Sequence, residues 1–132
     1  MSENAKKIHQ LIEIGDIEAV GDLLATEPDV MLEQDSLGNY PLHTACWVKQ
    51  PQLIALLISH GADVNQAGGR GDTPLHLAVT EGDAISLPII SELMSNGADP
   101  LIRNHVGHNA IDWAKIQADG SLAEMLRLMK NE

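Results

Sequence analysis

The chain has 132 residues, 44% of them hydrophobic, and 19 acidic against 8 basic side chains give it a net charge of −11. The length fits one domain, and the hydrophobic fraction is sufficient for a packed core. Because aromatic residues make up only 2%, that core should be aliphatic. Nucleic acids and anionic membranes attract clustered lysine and arginine, so the acidic balance argues against both as partners. With one cysteine, no signal-peptide pattern and no long apolar segment, we expect a cytoplasmic protein without disulfides.

The first predicted elements are two amphipathic helices at 6–14 and 17–25, separated by Gly15 and Asp16. They carry no obvious local motif. Their short length and their position before the motifs described next are those expected of a capping unit at the start of a repeat array. We therefore predict a helix pair here, with the chain reversing direction at the glycine.

Downstream, a four-residue motif recurs. Tyr-Pro-Leu-His at 40–43 returns as Thr-Pro-Leu-His at 73–76, and Gly-Ala-Asp at 61–63 returns at 97–99. A weaker copy, Asn-Ala-Ile-Asp, occupies 109–112. The spacings of 33 and 36 residues are typical of stacked structural repeats.

Each repeat should contain two short helices. The first begins at Pro41 or Pro74, because proline suits the first turn of a helix. The second begins at Pro51 or Pro88, and a glycine ends it. Between the helices of the third unit, around residues 83–87, the chain is three residues longer than in the second unit. A surface insertion is the favoured interpretation, since lengthening a loop costs little free energy, and a loop that contacts a partner is the alternative.

The motif Thr-Pro-Leu-His-x-Ala with a period of about 33 residues resembles the ankyrin-repeat family, over essentially the whole chain. The resemblance implies an all-α ankyrin-repeat solenoid in a single domain. It has four helix-turn-helix units, at about 1–34, 35–67, 68–103 and 104–132, of which the outer two are degenerate capping repeats. Lys49 stands where this family usually has a glycine between the two helices.

The chemically reactive side chains do not predict catalysis. His43 and His76 occupy the same place in successive units, and the resemblance implies that each bridges neighbouring units through hydrogen bonds. His105 and His108 lack a third ligand, and Cys46 lies at a small-residue position without an activating partner. We therefore predict no metal, no cofactor and no enzymatic activity. The alternative is a degenerate active site around His43, His76 and Cys46. It would be supported if a variant with both histidines replaced still folded but lost an activity.

Binding should occur on a concave face formed by the turn tips and the first helix of each unit, as the resemblance implies. The candidate contact residues are Leu37, Asn39, Trp47, Val48, Arg70, Asp72, Thr80, Glu81, His105, His108 and Ile116. Trp47 is the principal candidate because tryptophan is enriched at binding hot spots. The alternative is that Trp47 fills space beneath the loop before Pro51, while Trp113 is expected nearer the core.

We therefore predict a non-catalytic protein–protein interaction module, monomeric on its own, that acts as an adaptor or an inhibitor. Its charge favours a protein partner with a neutral or basic surface. The alternative is an acidic immunity or antitoxin protein that neutralises a basic toxin or nuclease. A structural spacer is a third interpretation.

Overall fold

The computed structural model describes residues 2–80 and 86–117, together with Glu124 and Arg127. Residues 2–80 and 86–117 contain seven α-helices, one short 3-10 helix at Pro28–Leu32, and no β-strand. The α-helices are α1 (Glu3–Ile14), α2 (Ile17–Thr26), α3 (Pro41–Trp47), α4 (Pro51–Ser59), α5 (Pro74–Val79), α6 (Ser86–Ser95) and α7 (Ala110–Gln117).

The helices form two rows. In the first row α1, α3, α5 and α7 contact one another in sequence, and in the second row α2, α4 and α6 do the same. The core lies between the rows and is aliphatic, as predicted. Its largest fully buried side chains include Ile12, Leu53, Leu75, Ile89 and Leu93. Because each pair buries its apolar face mainly against its neighbours, the architecture is a stack of repeats.

The helix ends follow from local chemistry. Ser2 and Asp16 accept hydrogen bonds from Ala5 N and Ala19 N, both at 3.0 Å, and thereby cap α1 and α2. The Ser2 cap extends α1 three residues further towards the N-terminus than the predicted start at residue 6. In α3, α4 and α5 a proline is the first residue, as predicted.

The predicted start of α6 at Pro88 is wrong. Ser86 and Leu87 are already helical, so Pro88 is not the first residue of α6. Of the segment in which we expected an insertion, Leu87 is thus helical, whereas residues 81–85, which include Glu81, lie outside the described residues.

Lys49 adopts the left-handed conformation, with φ of 55°, as its place at a usual glycine position suggests. A side chain in this region costs roughly 1 kcal/mol relative to glycine. The lysine offsets that cost, because its Nζ donates a hydrogen bond to the carbonyl oxygen of Thr80 at 2.9 Å. The interaction joins the second unit to the third.

We expect Lys49→Gly to be more stable than Lys49→Ala by about 1 kcal/mol, because both variants lack the Thr80 hydrogen bond and only glycine relieves the backbone strain. Urea denaturation of the two variants measures this difference directly. Equal stability of the two variants would mean that the left-handed conformation is not retained at this position.

The last described helix, α7, is capped by a reciprocal pair of hydrogen bonds. Asn109 Oδ1 accepts from Asp112 N at 2.9 Å, and Asp112 Oδ2 accepts from Asn109 N at 3.2 Å. The degenerate copy of the motif therefore still begins a helix. Boundaries for the four predicted units stay a prediction, since most residues after Gln117 lie outside the described part.

Candidate protein-binding groove

Buried histidines connect successive units through hydrogen bonds. His43 Nε2 donates to the carbonyl oxygen of Asp72 at 2.8 Å, and His43 Nδ1 accepts from Tyr40 N at 3.2 Å. His76 repeats this arrangement with the carbonyl oxygen of His108 at 2.9 Å and Thr73 N at 3.0 Å. Both rings are fully buried. The predicted bridging role of these two histidines is confirmed.

A third bridge, from His9, was not predicted. His9 is buried on α1, where Nε2 donates to the carbonyl oxygen of Glu33 at 2.9 Å and Nδ1 lies 2.6 Å from the Thr44 hydroxyl. It ties the first unit to the second. The signal that could have found it is its position on the apolar stripe of α1, beside Ala5, Ile8 and Ile12.

The turn tips are joined to each other through their backbones. Gly69 N donates to the carbonyl oxygen of Gly38 at 3.1 Å, and His105 N donates to that of Arg70 at 3.0 Å. The approach is so close that a Cβ at Gly69 would lie 2.3 Å from the carbonyl oxygen of Leu37. These contacts hold Leu37 and Arg70 in fixed positions on neighbouring tips.

A groove of about 290 Å³ lies between these tips and the first-row helices. It begins at the end of α1, crosses the first tip and α3, and reaches the second tip and α5. Its lining residues are Glu13, Asp35, Leu37, Asn39, Thr44, Trp47, Arg70, Asp72 and Leu77. Five of the predicted contact residues are thus brought together here: Leu37, Asn39, Trp47, Arg70 and Asp72.

Apolar side chains are unusually accessible on this face. Trp47 is 51% exposed and Leu37 is 71% exposed. Trp47 makes no hydrogen bond through its indole N–H within the described residues. By contrast, Trp113 is half-buried and donates its indole N–H to Thr80 Oγ1 at 2.9 Å. Trp113 therefore lies nearer the core, as predicted, whereas Trp47 presents its ring to the groove.

The groove is acidic. Asp35 accepts hydrogen bonds from Leu37 N and Asn39 N, both at 2.9 Å, and Asp72 accepts from Asn104 Nδ2 at 2.9 Å. These donors are neutral, so they orient the carboxylates without cancelling their charge. None of the ion pairs within the described residues involves a lining residue of the groove.

Two further candidate contact residues, Val48 and Thr80, make contacts within the helical stack. Val48 is partly buried against the core. Thr80 is half-buried, and its hydroxyl accepts from Trp113 and donates to the carbonyl oxygen of His76 at 2.9 Å. With the bond that its carbonyl oxygen accepts from Lys49, Thr80 links three successive units. Neither Val48 nor Thr80 lines the groove.

The remaining candidates belong to the last tip and α7. His105 is exposed and lies against Gly71, while the half-buried His108 ring contacts Trp113 with centroids 5.9 Å apart. Ile116 is exposed on α7. These residues extend the same row of tips and first helices beyond the groove.

The environments of Cys46 and His43 disfavour reactivity. Burial raises the pKa of the Cys46 thiol, which disfavours the reactive thiolate. Both nitrogens of His43 are engaged by backbone groups, and neither is free to take a proton from a substrate.

Within residues 2–80 and 86–117, no group of three metal-ligating side chains comes together. In the same residues, no helix has the length and apolar character needed to cross a bilayer.

His43 makes stability depend on pH. Burial lowers the pKa of His43 below its usual 6.5, against smaller raising effects from Asp72 and Asp35. The unfolded chain therefore takes up a proton below pH 6.5 that the folded chain does not, and this uptake lowers stability as the pH falls. We expect the stability difference between wild type and His43→Gln to shrink by up to about 1.4 kcal/mol per pH unit below pH 6.5. Urea denaturation at pH 7.5, 6.5 and 5.5 measures it, and parallel pH dependence of the two proteins would contradict the assignment.

Stacked helix pairs with projecting tips and an open groove define a repeat protein of the kind that the motif resembles. The family model for ankyrin repeats, in three copies, matches residues 8–126. The chain therefore belongs to the ankyrin-repeat family, and the predicted all-α ankyrin solenoid is confirmed.

Curated relatives agree with this assignment. The chain is 33% identical to Ankyrin repeat and SOCS box protein 11 of Danio rerio over 91% of its own length and 38% of that protein. It is 30% identical to human NF-kappa-B inhibitor alpha, over 70% of this chain and 30% of the relative. It is 32% identical to the putative ankyrin repeat protein FPV219 of Fowlpox virus, over 72% of this chain and 21% of that protein. The chain thus spans less than two fifths of the length of these relatives.

Proposed function

We propose that this chain is a non-catalytic module that binds a protein partner in the groove between its first two turn tips and acts as an adaptor or an inhibitor. Ankyrin repeats are protein–protein interaction modules, which gives the general class. The observation that supports this particular groove is the half-exposed Trp47 ring, which lines it together with residues of two neighbouring tips. Tryptophan is enriched at binding hot spots, because its large ring provides much contact area with only two side-chain torsions to fix.

The inhibitor version of this proposal is supported by one of the relatives, which is by its name an inhibitor of NF-kappa-B. Nothing in the comparisons favours the toxin-neutralising alternative. A neutral or basic partner surface stays a prediction that rests on the net charge of −11. A monomeric state and a cytoplasmic location likewise stay predictions.

The absence of catalysis is part of the proposal. His43 and His76 are buried with both ring nitrogens bonded, and Cys46 is fully buried. A general base or nucleophile needs an open approach to its substrate. These three residues are better explained by packing and by bridging between units.

The proposal is tested by capture from an extract of the source cells on three immobilised proteins: wild type, Trp47→Ala and Leu101→Ala. Leu101 is a matched control because its exposed fraction of 49% is nearly that of Trp47 and it does not line the groove. We expect wild type and Leu101→Ala to retain a protein that Trp47→Ala retains poorly. Equal retention of all proteins by the three baits would contradict a binding role for this groove.

A further inference from the structure

The shape of the groove restricts what it can hold. Its volume of about 290 Å³ is just below the range of roughly 300–1,000 Å³ that ligand pockets occupy. It is partly open to solvent and crosses from α1 to α5, over three successive units. A short extended chain with one or two inserted side chains matches this shape better than a bulky cofactor.

The charge of the groove restricts it further. Glu13, Asp35 and Asp72 contribute three carboxylates, and Arg70 contributes the one cation of the lining. Glu13 is exposed and has no hydrogen-bond partner within the described residues. The excess of negative charge favours a cationic side chain over an anionic one in this groove.

The apolar part of the lining lies beside these charges. Leu37 and Trp47 border the same groove as the carboxylates, and the exposed Ile14 follows Glu13 at the end of α1. The face of a tryptophan ring attracts a guanidinium or ammonium group, and arginine also stacks on it with its planar head. The lining therefore combines a surface for the apolar stem with carboxylates for the charged head of such a side chain.

We infer that the occupant of the groove is an extended segment of the protein partner in which an arginine or lysine lies on the Trp47 ring and a neighbouring aliphatic side chain contacts Leu37. The cationic head points to the carboxylates of Glu13 and Asp35. This inference rests on the proposed function and adds to it the chemistry of the segment that binds.

The test is selection of 12-residue random peptides displayed on phage against the wild-type chain, with Trp47→Ala used to remove unrelated binders. We expect the retained peptides to be enriched in a basic residue next to an aliphatic one. In the best peptide, replacing that arginine by citrulline, or that lysine by acetyl-lysine, should weaken binding about tenfold, because the charge is removed at nearly constant shape.

Charge variants of the chain give the sign of the interaction. Glu13→Gln should weaken binding of the selected peptide about threefold to fivefold at low salt, whereas Glu18→Gln, an equal charge change on α2 outside the groove, should not. Arg70→Gln should strengthen binding about twofold to threefold, because it removes a like charge. Fluorescence anisotropy with labelled peptide measures all three.

Four results would overturn the inference. They are selected peptides without basic enrichment, binding that Arg70→Gln weakens, failure of any peptide to prefer wild type over Trp47→Ala, and a dimer of this chain that Trp47→Ala dissociates. The last would make a second copy the occupant. If no peptide binds but Trp47→Ala still loses a partner in the capture experiment, the proposed function stands and only the extended segment is rejected.

Discussion

Replacing His43 by alanine lowers the free energy of unfolding by about 3 kcal/mol. The substitution removes the hydrogen bonds to the Asp72 carbonyl and from Tyr40 N. Each buried polar group left without its partner costs roughly 1–3 kcal/mol, and the space of the missing ring adds to that cost. The loss is moderated because Gly68 N also donates to the Asp72 carbonyl, at 2.9 Å. Urea denaturation followed by circular dichroism measures the effect.

His60→Ala is the matched control for this prediction. His60 is an exposed histidine at the end of α4, and its side chain makes no hydrogen bond within the described residues. Its replacement should change the stability by less than about 0.5 kcal/mol. If His43→Ala were as mild as His60→Ala, the histidine bridge would not be what holds the second and third units together.

Replacing Trp47 by alanine weakens binding of the partner at least about 30-fold, which corresponds to roughly 2 kcal/mol. The ring is half-exposed and without a hydrogen bond in the free chain, so its contact area is available to a partner. For the same reason the variant should keep a stability within about 1 kcal/mol of wild type. Titration calorimetry with the purified partner and urea denaturation measure the two quantities separately.

Leu101→Ala again serves as the control, because Leu101 has nearly the same exposure as Trp47 outside the groove. Its affinity should equal that of wild type. A Trp47→Ala protein that loses several kcal/mol of stability would instead support the alternative that the ring fills space beneath the loop before Pro51.

The repeats themselves were predictable because they depend on local sequence. Thr-Pro-Leu-His contains the helix start and the bridging histidine within four residues, so the positions of α3, α5, His43 and His76 follow from the motif. The left-handed Lys49 was also detectable, because it replaces a glycine in an otherwise regular pattern. Position in the repeat determines backbone conformation at such sites.

Interactions between side chains of different units were harder to predict. His9 bonds to Thr44 and Glu33 from a unit without the motif, and its partners depend on the reach of the ring. Thr80 accepts from the indole N–H of Trp113, whose equivalents in the two preceding units are Thr44 and Leu77, so the repeat pattern itself does not predict this contact. The start of α6 was misplaced because a proline need not be the first residue of a helix.

The groove could be predicted in part from the sequence. The family resemblance placed Leu37, Trp47 and Arg70 on one face, which the structure now brings together around a cavity. The contribution of Glu13 as part of the same lining depends on how the first unit stacks on the second. The volume of the groove and the lack of ion pairs in its lining could likewise be seen only in the structure.

Site-specific photocross-linking in the source cells tests the central claim most directly. A benzophenone amino acid is introduced at position 47 in one variant and at position 101 in the other, since both side chains are about half-exposed. We predict that position 47 cross-links to a protein partner and that position 101 does not. A partner that cross-links equally from both positions, or from position 101 alone, would contradict binding in the groove.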